Sequence, residues 1–215
     1  MNAISLQDTQ QEGTFTKLKF SKFFVFFLIT STVISLALYA PRFLAFSSHT
    51  TKSDAVVLLI GPDYEARKKE GHRQITEGSA DHLLIPAHGT ILKGGRDRVL
   101  RALNHKTSFK KTTPAYSYLY ENTHLEILWT KDMMDGYGLT SAIFVSSPAH
   151  MRRIKIIADR VFDPKAYGLS FVPTRHEKPW GYLWWTDIDR LKQVISEYVK
   201  IAWFLLYSHI PFLAR

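Results

Sequence analysis

The chain contains no cysteine, and that one absence removes disulfides, thiolate metal ligands, cysteine nucleophiles and CxxC redox chemistry together. Metal-binding histidine spacings are missing too. No HxxxH or HExxH occurs, and His72, His82 and His88 are scattered around one predicted strand, so no metal site is expected. Neither a GxSxG elbow nor a Walker loop is present, and Gly94-Gly95-Arg96 reads as a turn rather than a phosphate loop. No cofactor is expected. Acidic residues are in short supply: 19 Asp and Glu face 28 Lys and Arg, a net charge of +9. That excess favours an anionic partner, which could be a nucleic acid, an anionic membrane or a phosphorylated small molecule. What is plentiful is apolar matter, at 46% with 13% aromatic, enough to bury a core and exclude wholesale disorder.

Eighteen residues without a charge run from Phe23 to Ala40. As a helix they reach about 27 Å, close to the thickness of a bilayer's hydrocarbon core. The hydroxyls of Thr30, Ser31, Thr32 and Ser35 can bond back to the helix backbone. Pro41 and Arg42 are expected to end the helix. A buried globular helix would show a polar face, and this run has none. A cleaved signal peptide is the other reading, with Ser35-Leu36-Ala37 as a site for the cut. The run exceeds the usual apolar stretch of a signal peptide, and Pro41 disfavours cleavage after Ala40. An uncleaved anchor is therefore preferred. Lys17, Lys19 and Lys22 lie before it, and only the more widely spaced Arg42 and Lys52 follow. The positive-inside rule then puts the N-terminus in the cytoplasm and the rest outside. A domain without cysteine suits an oxidising exterior. Residues 1–22 read as a cytoplasmic tail, 23–41 as the transmembrane helix, 42–53 as a tether and 54–215 as one domain.

That domain reads as α/β. Ala55–Ile60 is a continuous apolar run closed by Gly61-Pro62, the pattern of a strand buried on both faces. A polar, helix-permissive segment covers 63–77 and ends at Gly78. Leu83–Ile85 is a second strand. Gly89–Thr113 reads as loop with a short helix around Arg98–Asn104. Thr123 and Glu126 fit a capping box, with Thr123 at the N-cap and Glu126 at N3 of a helix closed by Gly136 and Gly138. Ala142–Val145 is a third strand. Ser147-Pro148 reads as an N-cap and first turn, and Leu169–Val172 as a fourth strand. An amphipathic helix spans roughly Thr186–Tyr207. The alternation predicts a mostly parallel sheet with helices on both faces.

Three polar clusters fall beside the ends of these strands, where open α/β sheets bind ligands. They are Gly61 with Asp63 and Arg67, then Glu121-Asn122-Thr123, then Ser146-Ser147-Pro148-Ala149-His150 leading to Arg152 and Arg153. The last is the most informative. Helix starts favour acidic residues, yet this one carries His150, Arg152 and Arg153, a cost that a bound anion would offset. His150 and Arg153 are three apart and share a face. The plain alternatives are a solvated basic face, simple helix capping at 121–123, and a solvated arginine at 67.

Glu121-Asn-Thr-His-Leu-Glu126, followed by Val145-Ser-Ser-Pro-Ala-His-Met-Arg-Arg153, resembles the SanA/YdcF/ElyC family of bacterial envelope proteins. Arg67 lies eleven residues before Gly78, as in that family's pattern. Gly61 matches the end of its first strand, Asn122-Thr123 its helix start, and His150 with Arg153 its final motif. The resemblance covers roughly Asp54–Thr174. Two stretches depart from it: Gly61-Pro62-Asp63 replaces a richer glycine run, and Pro86-Ala87-His88-Gly89 replaces a Ser-Gly turn.

The resemblance implies a Rossmann-like sheet behind one N-terminal transmembrane helix, in the bacterial inner (plasma) membrane. It also implies that Arg67, Asn122, His150 and Arg153 meet in one pocket. Gly61, Arg67, Asn122, Thr123, Ser146 and Arg153 are then the expected ligand-binding residues, with His150 the general acid/base and Glu121 its partner. The expected ligand is an anionic small molecule or lipid phosphate, acted on by a hydrolase or transferase. A non-catalytic factor for envelope integrity is the alternative. S-adenosylmethionine binding, reported for one branch of the family, is a third, disfavoured by the absence of a glycine-rich nucleotide loop. The charge distribution argues against nucleic acid. Residues 1–52 hold five Lys and Arg against two acidic residues, net +3, which leaves +6 for the other 163 residues. In the final helix, Trp203, Phe204 and Tyr207 either pack in the core or rest on lipid, with Lys200 and Arg215 near headgroups.

Overall fold

Ala55-Val-Val-Leu58 is fully buried on both sides, so alternate residues feed two separate cores. The computed structural model describes residues 4–94, 100–102 and 117–209. Strand β1 (Ala55–Leu58) lies at the middle of a six-stranded sheet. Its parallel neighbours are β2 (His82–Ile85) and β5 (Ser141–Ser146), and β6 (Gly168–Pro173) adds in parallel beyond β5. Beyond β2 come β3 (Thr90–Gly94) and β4 (Leu100–Ala102), both antiparallel. The order is β4-β3-β2-β1-β5-β6, a mostly parallel sheet.

One core forms where Val56, Leu58, Leu83, Ile143 and Val145 meet Ile75 of α2 (Tyr64–Thr76). On the opposite face, Ala55, Val57, Leu84 and Phe144 meet three helices: α3 (Asn122–Tyr137), α4 (Met151–Val161) and α5 (Ile188–Ser208). Helices therefore cover both faces. Each fully buried Val, Leu, Ile or Phe contributes about 1.5–3 kcal/mol. Asp54 fastens the start of β1 to that of β5. Its carboxylate accepts the Thr140 and Ser141 N–H groups, both at 2.9 Å, and the Ser141 hydroxyl at 2.8 Å. Burial pushes this carboxyl up, but the hydrogen bonds outweigh it and hold it below the ordinary range.

Several boundaries differ from those read in the sequence. The segment taken as loop holds β3, which pairs back on β2 with Leu83 opposite Leu92 and Leu84 opposite Ile91. Part of the expected short helix, Leu100–Ala102, is strand β4. The rest of Arg98–Asn104, and Gly95-Arg96, lie outside the described residues. Helix α3 starts at Asn122 with Glu121 at its N-cap, so the Thr123–Glu126 capping box does not form. Tertiary partners claim both side chains: Arg153 Nη1 donates to the Thr123 hydroxyl at 2.5 Å, and the Ile60 N–H donates to Glu126 at 3.0 Å. Pro148–His150 is a single 3-10 turn, and α4 begins only at Met151. The chain divides into two compact units between Ala40 and Pro41.

The N-terminal helix α1 runs from Ile4 to Leu44, so the segment read as a tail is helical from Ile4 onward. It also continues through Pro41 rather than stopping there. Its stretch Phe23–Leu44, 22 residues with mean hydropathy 2.2, is long and apolar enough to cross a membrane. The Thr30 and Thr32 hydroxyls donate back to the Phe26 and Leu28 carbonyls at 2.9 and 2.8 Å.

Residues 42–53 are not a free tether. Leu44 is fully buried in the domain, Phe46 packs edge-on against Phe171 at 5.8 Å, and Ser48 bonds to the Phe171 backbone in both directions. Phe46 and Ser48 thereby dock this stretch on β6.

Candidate functional site

From β1 the chain builds β2 on one side and later β5 on the other, so strand order reverses between β1 and β5. A crevice opens at the carboxyl ends of strands where this happens. Here it is a cavity of about 440 Å³. Gly61 and Arg67 enter it after β1, Glu121, Asn122 and Thr123 at the start of α3, and Ser146, His150 and Arg153 after β5. All eight expected site residues thus share one cavity wall. Lys200 of α5 joins them.

Arg67 is almost fully buried. Its Nε donates to the Ser147 hydroxyl at 3.1 Å and its Nη1 to the Leu59 carbonyl at 3.2 Å. Its Nη2 has no partner. Burial lowers the guanidinium's pKa, opposed by the charges of Glu177, Asp63 and Glu126. Gly61 makes room for this side chain: a Cβ there would lie 2.8 Å from Arg67 Nη1. The Ser146 hydroxyl is also buried without a partner. Ser147, expected to cap the following helix, makes no capping bond and holds Arg67 instead.

Arg153 behaves differently from the expected ligand-binding arginine. Its Nε donates to Glu197 Oε2 at 2.7 Å and its Nη2 to Glu197 Oε1 at 3.0 Å, a two-pronged pair. Its Nη1 also donates to Glu121 at 3.0 Å. Two carboxylates neutralise it, so the cavity is less cationic than its residues suggested. Glu121 is likewise not the partner of His150. That role falls to Glu197, whose Oε1 lies 2.9 Å from His150 Nδ1. Lys200 Nζ reaches the same oxygen at 3.2 Å.

The two glutamates titrate in opposite directions. Burial would raise Glu197, but hydrogen bonds from His150 and Arg153 overcome it and hold the carboxyl well below the usual range. Burial raises Glu121 more than Arg153 lowers it, so its pKa lies above the ordinary value, and its Oε1 has no partner. Burial acts on both carboxyls alike, and the number of donors each one meets decides the direction.

Glu197 escapes a motif-based reading because no short motif contains it. A signal is present nonetheless. In α5 the buried positions are Val194, Glu197, Ile201 and Phe204, so one glutamate interrupts an apolar stripe. Glu126 escaped for the opposite reason, being explained locally by a cap that the fold does not use.

Behind Glu121, His124 Nδ1 lies 3.0 Å from the Tyr207 hydroxyl, and Tyr120 stacks on both rings. Burial lowers His124 to about 4 and raises Tyr207. Phe204 and Tyr207 are core residues and do not rest on lipid; Trp203 is partly exposed. Arg215 lies outside the described residues. Among those residues no cluster of His, Asp and Glu is grouped to hold a metal ion. No family model matches the chain. No curated protein and no solved structure matches it either.

Proposed function

We propose that the cavity binds the anionic group of a phosphorylated envelope metabolite, free or lipid-linked, and that His150 moves a proton on it. The observation that carries this reading is a pair of orphans: Arg67 Nη2 and the Ser146 hydroxyl, both buried, both without a partner, on one cavity wall. An unmet buried donor costs about 1–3 kcal/mol, more when charged, and a ligand oxygen would supply the missing acceptor. Glu197 fixes the His150 ring through Nδ1, which leaves Nε2 for chemistry. In a hydrolase or transferase step, His150 takes the proton of the attacking oxygen as the new P–O bond forms. It returns that proton to the leaving oxygen as the old bond breaks. Asn122 and Thr123 border the same space.

A Rossmann-like description of the fold agrees with the strand order and with helices on both faces. Membership of the SanA/YdcF/ElyC family remains part of the proposal, resting on the motif order given above. So does a single-pass anchor in the bacterial inner membrane, with the N-terminus in the cytoplasm and the domain outside. A reporter enzyme active only outside the cytoplasm, fused after Arg215, tests the orientation.

The second reading is a non-catalytic binding factor for envelope integrity. The internally paired Arg153–Glu197–His150 group favours it, because such a network can serve rigidity alone. Native mass spectrometry of the detergent-purified chain with a lipid phosphate and with a sugar phosphate separates the readings. Binding lost in Arg67→Met, with product formed by the wild type and not by His150→Ala, supports the enzyme. Binding without turnover supports the factor. No binding of either compound rejects the anion site.

A further inference from the structure

Helix α5 carries a second apolar stripe that the core does not use. Ile188, Ile195, Val199, Ala202 and Leu206 recur at intervals of seven, four, three and four, which places them on one helical face. That face points away from Val194, Ile201 and Phe204. Ile195, Val199 and Leu206 are 54%, 61% and 64% exposed. A solvated helix has polar residues there. Outside α1, every exposed large hydrophobic among the described residues except Tyr118 belongs to this helix or to Tyr182-Leu183 just before it. Beyond its first turn α5 carries two cationic side chains, exposed Lys192 and half-buried Lys200, the latter paired with the buried Glu197. Apolar stripe, partly exposed Trp203 and flanking lysines form the composition of a helix lying in a membrane interface.

The chain's own connection selects the lipid surface as occupant. Phe43 stacks on Tyr198 of α5 at 5.9 Å, and the Phe43 carbonyl accepts Arg152 Nε at 2.8 Å. Phe43 is three residues past Ala40, and three residues span at most about 10 Å. Leu44 and Phe46 are packed into the domain, so nothing in this stretch pays out as slack. If Phe23–Ala40 crosses a bilayer, Tyr198 sits within reach of the headgroup layer, which adds roughly 5–7 Å on each side of the hydrocarbon.

We infer that the outer face of α5 lies in the membrane interface, with Ile195, Val199 and Leu206 in the acyl boundary and Lys192 and Lys200 toward anionic headgroups. The inference rests on the spanning reading of Phe23–Ala40. It sets Lys200, which lines the cavity, at headgroup height.

The missing cysteines make the test clean, because a single cysteine can be added for spin labelling of the full chain. Labels go at Ile195→Cys, Val199→Cys and Leu206→Cys, at Lys69→Cys on exposed α2, and at Val33→Cys within α1. The protein is reconstituted into vesicles of equal parts phosphatidylethanolamine and phosphatidylglycerol. The three α5 labels should lose broadening by a water-borne nickel chelate and gain it from oxygen, while the Lys69 label shows the reverse. If they respond like Lys69 while Val33 is shielded, the inference fails and the anchor stands. If Val33 also responds like Lys69, both fail. Spin–spin broadening among α5 labels, relieved by mixing with unlabelled chain, would assign the face to a second copy and overturn the lipid assignment.

Discussion

Arg153 and Glu197 stand 44 residues apart in the chain and meet through two hydrogen bonds at 2.7 and 3.0 Å, each side chain almost fully buried. Breaking such a pair from one side leaves an uncompensated charge, at a cost of about 3–5 kcal/mol. Glu197→Ala should lose that much stability in denaturant unfolding of the detergent-solubilised chain. Arg153→Leu combined with Glu197→Leu should lose clearly less than the sum of the single changes. Additive losses would mean the two side chains do not act as a unit.

Arg67 predicts a divergence between stability and binding. Arg67→Met removes a buried, partly unmatched cation, so the melting temperature should hold or rise. Phosphate-ligand affinity should fall about 10- to 100-fold, the worth of one or two hydrogen bonds to a charged group. A thermal-shift titration of wild type and variant reads both quantities. Equal ligand shifts in the two proteins would remove Arg67 from the site.

Gly61 offers a gentler probe of the same guanidinium. An added methyl would press on Arg67 Nη1, the end of a flexible side chain, so the fold should survive and the guanidinium should move. Gly61→Ala is expected to weaken ligand binding about tenfold, with near-wild-type unfolding. Gly61→Ala together with Arg67→Met should bind no worse than Arg67→Met alone. Calorimetry on the three variants checks this.

His124 should make the domain acid-sensitive. Its pKa is about 4 in the fold against 6.5 when free, so the unfolded chain binds the extra proton first. Its contribution is complete above pH 6.5 and is lost as pH falls toward 4, on the order of 3 kcal/mol there. Glu197 extends the loss to lower pH, because its depressed carboxyl stabilises the fold above about 4.5 and ceases to do so on protonation. Unfolding free energy measured from pH 8 to 4 should slope downward. His124→Phe should flatten the curve between 6.5 and 4, after an offset of about 1 kcal/mol for the lost Tyr207 bond. An unchanged slope would rule out His124 as its source.

Gly61, Arg67, His150 and Arg153 line one cavity because parallel strands put their carboxyl ends on one side and these residues follow β1 and β5. Asn122 follows no strand directly, and the family resemblance was what grouped it with them. Nothing comparable announces Glu197, whose place depends on how α5 docks. The β3–β4 pairing was hidden by local preference: Arg98–Asn104 is rich in good helix formers, yet Leu100–Ala102 pairs with Leu92–Gly94 as strand. Thr123 and Glu126 matched a cap so well that their longer-range partners, Arg153 and Ile60, could not be read from the sequence.

The position of Glu197 also sets an order of assembly. Arg67, Glu121, His150 and Arg153 leave the ribosome well before α5 does, and until then the Arg153 guanidinium has only Glu121 as a carboxylate partner. The cavity therefore closes only when α5 docks on the sheet. A chain stalled before residue 197 would hold a largely finished sheet around an under-neutralised arginine, a half-built state that proteases could recognise.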